Sequence, residues 1–316
     1  MSQAAGGRTL VVAGASGIVG RVLIAHALER GWIVRVLSRS ERPSRARVQA
    51  RVWDPAAAAG GSSEAIASIA DALDGADVLC NLAGASIAEG RLNTAHRERV
   101  LQSRLEATRA LVRGARRAGA PPKVWLQASA VGYYGDTAEE AIDESAPPAP
   151  GFFLSDVCAR WEEAASEIVQ GDAPRLVILR IGLVLAKDAP AWTKMIAPIR
   201  FGLGGKLGSG RQIYSWIHAD DLARAALWLA DEERARGPYN LTSPEPIRQR
   251  ELVRAVARRM GRPAFVPAPR LLLRAVLGDV ADQLLLPSCK ALPRRLEALG
   301  FRFESPRFEP LLDRLL

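Results

Sequence analysis

The chain has 316 residues, of which 48% are hydrophobic and 24% charged, a balance typical of a soluble globular protein and unlike that of a disordered chain. Its longest apolar runs, such as 271–273 and 284–286, are far too short to cross a bilayer, and no secretory signal is expected at the N-terminus. Three widely spaced cysteines argue against a disulfide framework and favour a cytoplasmic location.

The charge balance is strongly basic, at +9, and almost all of the basic residues are arginines. Nucleic-acid-binding proteins concentrate such residues on one face among exposed aromatics. Here the densest groups, within 35–51 and 248–262, alternate with Val, Ala and Leu at helix or strand spacing. The sequence therefore favours an arginine-rich solvated surface, and neither a nucleic acid nor a membrane is expected as a partner. A positive field can still attract an anionic small molecule.

Short β-branched runs alternate with longer helical patterns over the first two-thirds of the chain. Strands are predicted at 9–13, 33–38, 51–53, 77–82, 123–129 and 176–180, and helices at 17–30, 63–73, 93–118 and 153–169. The stretch 56–63 is predicted as a loop. This alternation predicts an α/β fold with a doubly wound parallel sheet, right-handed crossovers and helices on both faces.

The pattern loosens beyond residue 180. Residues 190–210 are rich in Gly and Pro, 263–269 resembles a surface crossing, and amphipathic helices are predicted at 220–231 and 248–259. We therefore expect a Rossmann-like domain over 8–185, with 212–242 as a candidate addition to it. A smaller, mainly helical substrate-binding region is expected over 186–316, covering the carboxyl edge of the sheet.

The strongest local signal is a glycine-rich turn that follows the first predicted strand and opens a helix. One glycine permits the tight turn, another lets the backbone approach a pyrophosphate, and the third allows close helix–strand packing. Free N–H groups and the positive end of the helix dipole then face the phosphates. The turn predicts a dinucleotide site, in preference to a turn without ligand. The predicted contacts are Gly14, Ser16, Gly17, Ile18, Val19 and Gly20.

The end of the second predicted strand indicates which dinucleotide is bound. An NAD site carries an acidic residue there, whereas this chain has Ser38, Arg39 and Ser40, with Arg42 close behind. A guanidinium suits a ribose 2′-phosphate by charge and geometry. NADP(H) is therefore the predicted cofactor, and the alternative is that Arg39 is a plain surface arginine.

Together with blocks further along, the sequence resembles the short-chain dehydrogenase/reductase superfamily in its extended, nucleotide-sugar-epimerase-like form. The resemblance covers nearly the whole chain and is greatest to an atypical epimerase-like family. It rests on NLAG at 81–84, SRL at 103–105, SAVGYYG at 129–135, FLSDVC at 153–158, RIGLVL at 180–185, GLGG at 202–205 and WIHADD at 216–221.

The resemblance implies further cofactor contacts at the ends of successive strands. They are Ser38 and Arg39 for the adenosine phosphate, Asp54 near the adenine, Leu82, Ala83 and Gly84 for the nicotinamide-side ribose, and residues 182–184, with Val184, near the nicotinamide ring.

The catalytic set of ordinary superfamily members is only partly present. They use a tyrosine as general acid/base, a lysine four residues later that lowers its pKa, and an upstream serine that orients the substrate oxygen. The serine is present as Ser129, but aligning Glu162 with the family's helical glutamate places Leu154 at the tyrosine position. Cys158 then stands for the lysine, and Arg104 stands for the usual asparagine. The Cys and Arg exchanges are those of the atypical family, and Arg104 is a candidate for both cofactor contact and catalysis.

Three residues are candidates to replace the missing proton relay. Tyr133 and Tyr134 follow Ser129 at the same sheet edge, and a phenol donates a proton if its pKa is lowered. Cys158 could act as a thiolate if Arg104 and a helix terminus lower its pKa. The alternatives are that the tyrosines only pack and that the cysteine is a small buried hydrophobe.

The remaining candidates lie on the substrate side of the expected cleft. Arg211 and Gln212 match a substrate-side loop and could hold an anionic group, whereas His218 is expected to lie at a helix start. The acidic residues of 139–144 are expected to be solvated, and the spacing of His and Cys predicts no metal site. Three aromatic residues flank the Gly- and Pro-rich segment, and they either line the substrate cleft or pack in the core: Trp192, Phe201 and Trp216.

The sequence thus predicts an NADP(H)-dependent oxidoreductase or epimerase-like enzyme that acts on a small molecule. The alternative is a non-catalytic protein that senses NADP(H), which the missing tyrosine and lysine favour. The substrate, the direction of reaction and the oligomeric state stay open at this point.

Overall fold

The computed structural model describes residues 7–168 and 174–316, and within these ranges seven parallel strands form the central sheet. They are β1 (Thr9–Ala13), β2 (Ile33–Ser38), β3 (Val48–Val52), β4 (Val78–Asn81), β5 (Val124–Ala130), β6 (Arg175–Ile181) and β7 (Gly237–Leu241). Their order across the sheet is β7-β6-β5-β4-β1-β2-β3, and every neighbouring pair is parallel. The chain order reverses between β1 and β4, and a doubly wound sheet binds its ligand outside the carboxyl ends of the strands at that point.

Eleven α-helices lie in the described ranges. They are α1 (Ile18–Glu29), α2 (Pro55–Ala59), α3 (Ser63–Leu73), α4 (Thr94–Arg117), α5 (Phe153–Ser166), α6 (Pro190–Arg200), α7 (Ala219–Asp231), α8 (Gln249–Met260), α9 (Arg270–Leu277), α10 (Arg294–Leu299) and α11 (Phe308–Leu315). A 3₁₀ turn at Val131–Tyr134 follows β5, and a π-helical turn at Ala281–Leu285 follows α9. The predicted helix 153–169 ends at Ser166, and its position 169 lies outside the described residues.

Polar side chains fix where several helices begin. Asn93 caps α4, and Asp54 caps α2 by accepting a hydrogen bond from the N–H of Ala57 at 3.0 Å. The prediction of a loop over 56–63 is therefore wrong in its first half. A capping aspartate, Pro55 at the first helical position and a run of alanines suffice for one short helix.

The sheet is covered by helices on both faces, as predicted. Leu10 and Val12 of β1 pack in one fully buried core together with α1 and α7. Val11 and Ala13 point to the opposite face, where α3 and α4 complete a second core. Strands that are buried on both faces are apolar at nearly every position, which is why β1 shows a continuous apolar run instead of an alternating one.

The second part of the chain is mainly helical and has an apolar core of its own, made by α6, α8 and α11. Trp192 and Trp216 are fully buried there, with ring centroids 6.2 and 5.7 Å from that of Phe308. These two aromatics therefore pack in the core, whereas Phe201 is 81% exposed.

Short strand pairs join the second part of the chain to the carboxyl edge of the sheet. Leu183–Leu185 pairs in parallel with Trp216–His218, directly after β6. Ala141–Ile142 pairs in parallel with Lys290–Ala291. Of the helices described, none is both long and apolar enough to cross a membrane.

Candidate functional site

The glycine-rich turn closes tightly against the loop that follows β4. Gly14 has a φ of +85°, and a Cβ atom there would lie 2.6 Å from the carbonyl carbon and oxygen of Leu82. A Cβ atom on Gly20 would lie 2.7 Å from the Cα atom of Ala15, so the first turn of α1 packs directly on the preceding turn. Both positions require glycine, and the result is a backbone crevice between β1 and β4.

The start of α1 forms one wall of this crevice. Gly17 is the N-cap of the helix, and it is exposed together with Ser16. The N–H groups of the first turn, at Ile18 and Val19, have no partner within a helix, and the first turn carries no acidic residue. Unpaired N–H groups and the positive end of the helix dipole together fit a pyrophosphate.

The carboxyl end of β2 carries two guanidinium groups beside the crevice. Ser38 is buried, and its hydroxyl accepts a hydrogen bond from Nε of Arg42 at 3.1 Å, while Arg39 is exposed. The carbonyl of Ser38 accepts the N–H of Trp53 at 3.0 Å, which brings Asp54 to the same edge of the sheet. The arrangement fits an adenosine phosphate, with Asp54 nearby as the cap of α2.

The loop after β4 forms the opposite wall. The N–H of Leu82 donates to the carbonyl of Ala13 at 2.8 Å, and the N–H of Ala83 donates to the side chain of Asn81 at 3.2 Å. Val184 is half-buried in the short strand that follows β6. These residues lie at the carboxyl ends of β4 and β6.

Arg104 lies across Gly84, where a Cβ atom would stand 2.9 Å from its Cγ atom. Its Nη1 donates to the carbonyls of Ala85 and Val100 at 3.0 and 2.8 Å, and the guanidinium lies 4.9 Å from the ring centroid of Trp161. Burial lowers the pKa of Arg104 from its ordinary value. The side chain is therefore fixed beside the loop that follows β4.

Three neighbouring strands bring polar side chains together beneath the turn that follows β5. Ser129 of β5 and Asn240 of β7 both stand opposite Arg180 of β6 in the sheet register. Ser129 Oγ donates to Glu162 Oε1 at 2.6 Å, and Arg180 binds both carboxylate oxygens of Glu162 at 3.0 and 2.8 Å. All four side chains are buried.

Tyr134 completes this polar network and is itself buried. Its hydroxyl accepts a hydrogen bond from Arg180 Nη1 at 2.9 Å and donates one to Asn240 Oδ1 at 2.7 Å. Burial raises the pKa of Tyr134 well above its usual range. Burial alone would lower the pKa of Arg180, but the hydrogen bonds and charge of Glu162 raise it above its ordinary value. The phenol of Tyr134 is thus engaged within the fold as both donor and acceptor.

Tyr133 differs from its neighbour because it is only half-buried. The guanidinium carbon of Arg180 lies 3.6 Å from the centroid of its ring. Burial raises the pKa of the Tyr133 phenol, and Arg180 opposes that rise. Leu154, at the family's tyrosine position, lies against the same turn, since a Cβ atom on Gly132 would stand 3.3 Å from its Cβ atom. Tyr133 therefore belongs to the turn that packs against Leu154.

Cys158 is buried in α5, beyond the first turn of the helix. Burial and the charge of Glu162 raise the pKa of its thiol to about 11, although Ser129 and Arg104 lower it. This shift is opposite to the one that a thiolate requires. At neutral pH the thiol stays protonated and packs as a small apolar group.

Several predicted residues have structural partners instead of a place in the crevice. Arg211 is exposed and pairs with Glu139 at 3.3 Å, and Gln212 is buried with its amide donating to two backbone carbonyls. The expectation that the acidic loop is solvated is wrong for Glu144, which is buried and accepts the N–H of Asn240 at 3.0 Å. In the part of the chain that the structure describes, no three His, Cys, Asp or Glu side chains form a candidate metal site.

The sequence reasoning missed the roles of Arg180, Asn240 and Glu162 in the buried network. A signal was available, because Arg180 interrupts the apolar run LVILRI of a central strand. A charged side chain in such a strand requires a buried partner of opposite charge. Glu162, which had served only to align the helix, supplies it.

A parallel sheet with a glycine crevice at its switch point, an epimerase-like serine and a helical second part defines an extended short-chain dehydrogenase/reductase. The sequence model of the NAD dependent epimerase/dehydratase family matches residues 10–242, and a domain of unknown function, DUF1731, matches 268–315. The chain therefore belongs to the NAD-dependent epimerase/dehydratase family, and the predicted resemblance is confirmed.

The relatives span most of the chain. The epimerase family protein SDR39U1 of Bos taurus is 33% identical over 310 residues, which are 97% of this chain and 99% of that protein. An epimerase family protein of Staphylococcus epidermidis is 40% identical over 240 residues, 76% of this chain and 79% of the relative. Among solved structures, human epimerase family protein SDR39U1 (isoform 2) with NADPH superposes with a TM-score of 0.86 at 32% identity, covering 97% of this chain and 99% of that one.

Proposed function

We propose that this protein binds NADP(H) in the crevice between β1 and β4 and acts as an oxidoreductase or epimerase-like enzyme on a small molecule. The observation that carries the proposal is the end of β2, where Ser38 holds Arg42, Arg39 is exposed, and no carboxylate stands where an NAD site has one. The similar human protein, whose structure is with NADPH, supports the same cofactor.

Each wall of the crevice has a separate part in binding. The turn at Gly14 and the first N–H groups of α1 bind the pyrophosphate, while Arg39 and Arg42 bind the 2′-phosphate. Leu82 and Val184 border the nicotinamide side. The bound cofactor supplies a nicotinamide ring for hydride exchange.

Of the two candidate phenols, Tyr133 is assigned as proton donor and Tyr134 as a structural residue. The hydroxyl of Tyr134 already has a donor and an acceptor within the fold, whereas Tyr133 is half-exposed beside Leu154. The hydroxyl of Ser129 donates a hydrogen bond to Glu162, so it orients a substrate oxygen only by exchanging that bond.

The cofactor assignment is tested by comparing NADPH and NADH binding by fluorescence or calorimetry. The wild-type chain should prefer NADPH, and Arg39→Ser with Arg42→Ser should reduce NADPH affinity by roughly tenfold or more with little effect on NADH, because each lost guanidinium removes charge-assisted bonds. Arg45→Ser, an exposed arginine on the same segment, is the matched control and should behave like wild type. Equal affinity of the wild-type chain for the two cofactors would contradict the proposal.

A second candidate function is a protein that senses NADP(H) without turnover. It is favoured by Leu154 at the tyrosine position and by the raised pKa of Cys158, about 11, which together leave no ordinary proton relay. Incubation with NADPH and a panel of carbonyl compounds and nucleotide sugars separates the two functions. Oxidation that is lost in Tyr133→Phe and retained in Cys158→Ala supports the enzyme. Tight NADPH binding without oxidation of any panel member supports the sensor.

A further inference from the structure

Two segments distant in sequence, 198–211 and 261–278, form one continuous surface, which we call the basic–apolar surface. Their backbones are joined by hydrogen bonds from the N–H of Ala268 to the carbonyl of Lys206 at 2.9 Å and from the N–H of Gly208 to the carbonyl of Ala268 at 2.8 Å. The second segment includes all of α9. The two segments therefore present their side chains together.

Large apolar side chains are concentrated on this surface. Of the nine that are strongly exposed in the described residues, all but Val52 and Leu284 lie on the two segments. None of the residues of α9 is buried, so the helix lies on the outside of the fold. The most exposed members, with their exposed fractions, are Phe201 (81%), Phe265 (79%), Leu271 (79%), Leu203 (61%), Val276 (61%) and Leu272 (54%).

The same two segments contain six basic residues and no acidic one. Asp282 pairs with Arg270 and Arg274, both on α9. Arg211 pairs with Glu139, as noted above. Within residues 7–168 and 174–316, Arg200, Lys206 and Arg262 form no ion pair.

An open cavity of about 410 Å³ borders the basic–apolar surface. Arg200, Arg259 and Arg262 line it, together with Asp313 and the C-terminal Leu316. Asp313 is bound to Arg259 at 2.7 Å, so the charge of the other two arginines is not matched by that carboxylate. Two arginines of the basic–apolar surface, Arg200 and Arg262, therefore line this cavity without an ion pair to Asp313.

We propose that the basic–apolar surface docks on an anionic lipid bilayer. The exposed apolar side chains enter the headgroup region, and the arginines contact lipid phosphates, the combination that holds interfacial amphipathic helices on membranes. A second copy of the chain is a poorer occupant, because a symmetric contact brings the three unpaired basic residues of one copy, Arg200, Lys206 and Arg262, to the same interface as those of the other. The proposal revises the expectation that a membrane is not a partner, and it requires no spanning helix.

The experiment is cosedimentation of the full chain with vesicles of phosphatidylcholine alone and of phosphatidylcholine mixed with phosphatidylglycerol. Binding is expected to the mixed vesicles only, and to weaken as salt screens the arginines. Leu271→Lys with Leu272→Lys separates charge from apolar burial, because it adds cations while removing apolar area. Its binding should fall at least about tenfold, although its charge is higher.

A charge variant and a matched control complete the test. Arg262→Ser should weaken binding to the mixed vesicles about fivefold. Arg236→Ser removes the same charge just before β7, at the opposite, amino edge of the sheet, and should leave vesicle binding unchanged. NADPH affinity should be the same in all variants, which verifies folding and keeps this proposal separate from the proposed function.

Three results would overturn the proposal. The first is no cosedimentation of the wild-type chain with the mixed vesicles. The second is a concentration-dependent dimer, measured by light scattering, that Leu271→Lys with Leu272→Lys abolishes, since the surface then binds a second copy. The third is unchanged or tighter vesicle binding by that double variant, which means that the apolar side chains do not enter the bilayer.

Discussion

The ion pair between Arg180 and Glu162 lies under the turn that carries Tyr133, and its side chains are only 5% and 10% exposed. Arg180→Met removes the guanidinium but leaves a carboxylate buried and takes a donor from the hydroxyl of Tyr134. Removing one partner of a buried pair costs about 3–5 kcal/mol, because the remaining charge is no longer compensated. Replacing both partners by apolar residues is often nearly neutral, so Arg180→Met with Glu162→Leu should cost less than Arg180→Met alone.

The free energies of unfolding are measured by urea denaturation followed by tryptophan fluorescence, and the four proteins of the double-mutant cycle give the coupling between the two residues. Arg234→Met is the control, because Arg234 binds Glu232 through two bonds of similar length, 2.7 and 2.9 Å, but is exposed. It should unfold like wild type. A loss below about 1 kcal/mol for Arg180→Met, or a double variant that loses the sum of the single losses, would refute the reasoning.

Two further predictions concern a helix cap and the cofactor crevice. Burial lowers the pKa of His218 below its ordinary 6.5, and the ring caps α7 by accepting the N–H of Asp220 at 3.4 Å. The folded state therefore binds this proton less readily than the unfolded state, and the stability it contributes is present above pH 6.5 and lost as the pH falls. In thermal unfolding over a pH series, His218→Ala should lower the free energy of unfolding by about 1 kcal/mol near neutrality. His218→Asn should keep the cap, and its free energy of unfolding should fall less in acid than that of wild type. Parallel pH curves for His218→Asn and wild type would contradict this. Gly14→Ala combines a φ of +85° with a 2.6 Å approach to Leu82, so it should abolish NADPH binding. Gly75→Ala, with a φ of +66° and open space around it, should cost about 1 kcal/mol and keep full binding, and equal NADPH affinity in the two variants would refute the role of the crevice.

The central strands of the sheet were predictable because their apolar runs are continuous. β1 and β2 begin and end where the sequence predicted, at Thr9–Ala13 and Ile33–Ser38. The predicted strand 51–53 is instead Val48–Val52, because this edge strand is mostly unburied and its sequence VQARV has no continuous apolar run. Fewer side chains of an edge strand are buried, so fewer of them have to be apolar. The apolar pattern that predicts a strand is therefore weak at the edge of a sheet.

Two elements of the second part of the chain were not predicted from the sequence because they contain proline. β7 is an edge strand that contains Pro238, which is tolerated where one side of the strand has no neighbour. α6 begins with Pro190 at its first position and contains Pro198 near its end, so a segment rich in Gly and Pro is helical over half its length. All three prolines are compatible with the element that contains them, but composition alone suggests a loop.

Only the part of the candidate site that is formed by neighbouring residues in the sequence could be predicted from it. The crevice at Gly14 was predictable because turn, strand and helix are consecutive in the sequence. The contact between Tyr134 and Asn240 joins residues 106 positions apart, and that between Ser129 and Glu162 joins residues 33 apart. Such contacts depend on strand order and register, which one sequence without relatives does not specify.

If Tyr133 is the proton donor, as proposed, the buried network also affects whether the protein favours reduction or oxidation of its substrate. Ordinary family members place a lysine on the helix four residues after the tyrosine, whereas Cys158 at that position is a neutral thiol with a pKa of about 11. The guanidinium of Arg180 lies 3.6 Å from the ring centroid of Tyr133, but it is bound to both oxygens of Glu162. Burial raises the pKa of Tyr133 although Arg180 opposes the rise, so its phenol is protonated at neutral pH. A protonated phenol gives a proton to a developing alkoxide but does not remove one from an alcohol, so this set of residues suits carbonyl reduction better than the oxidation that begins an epimerisation.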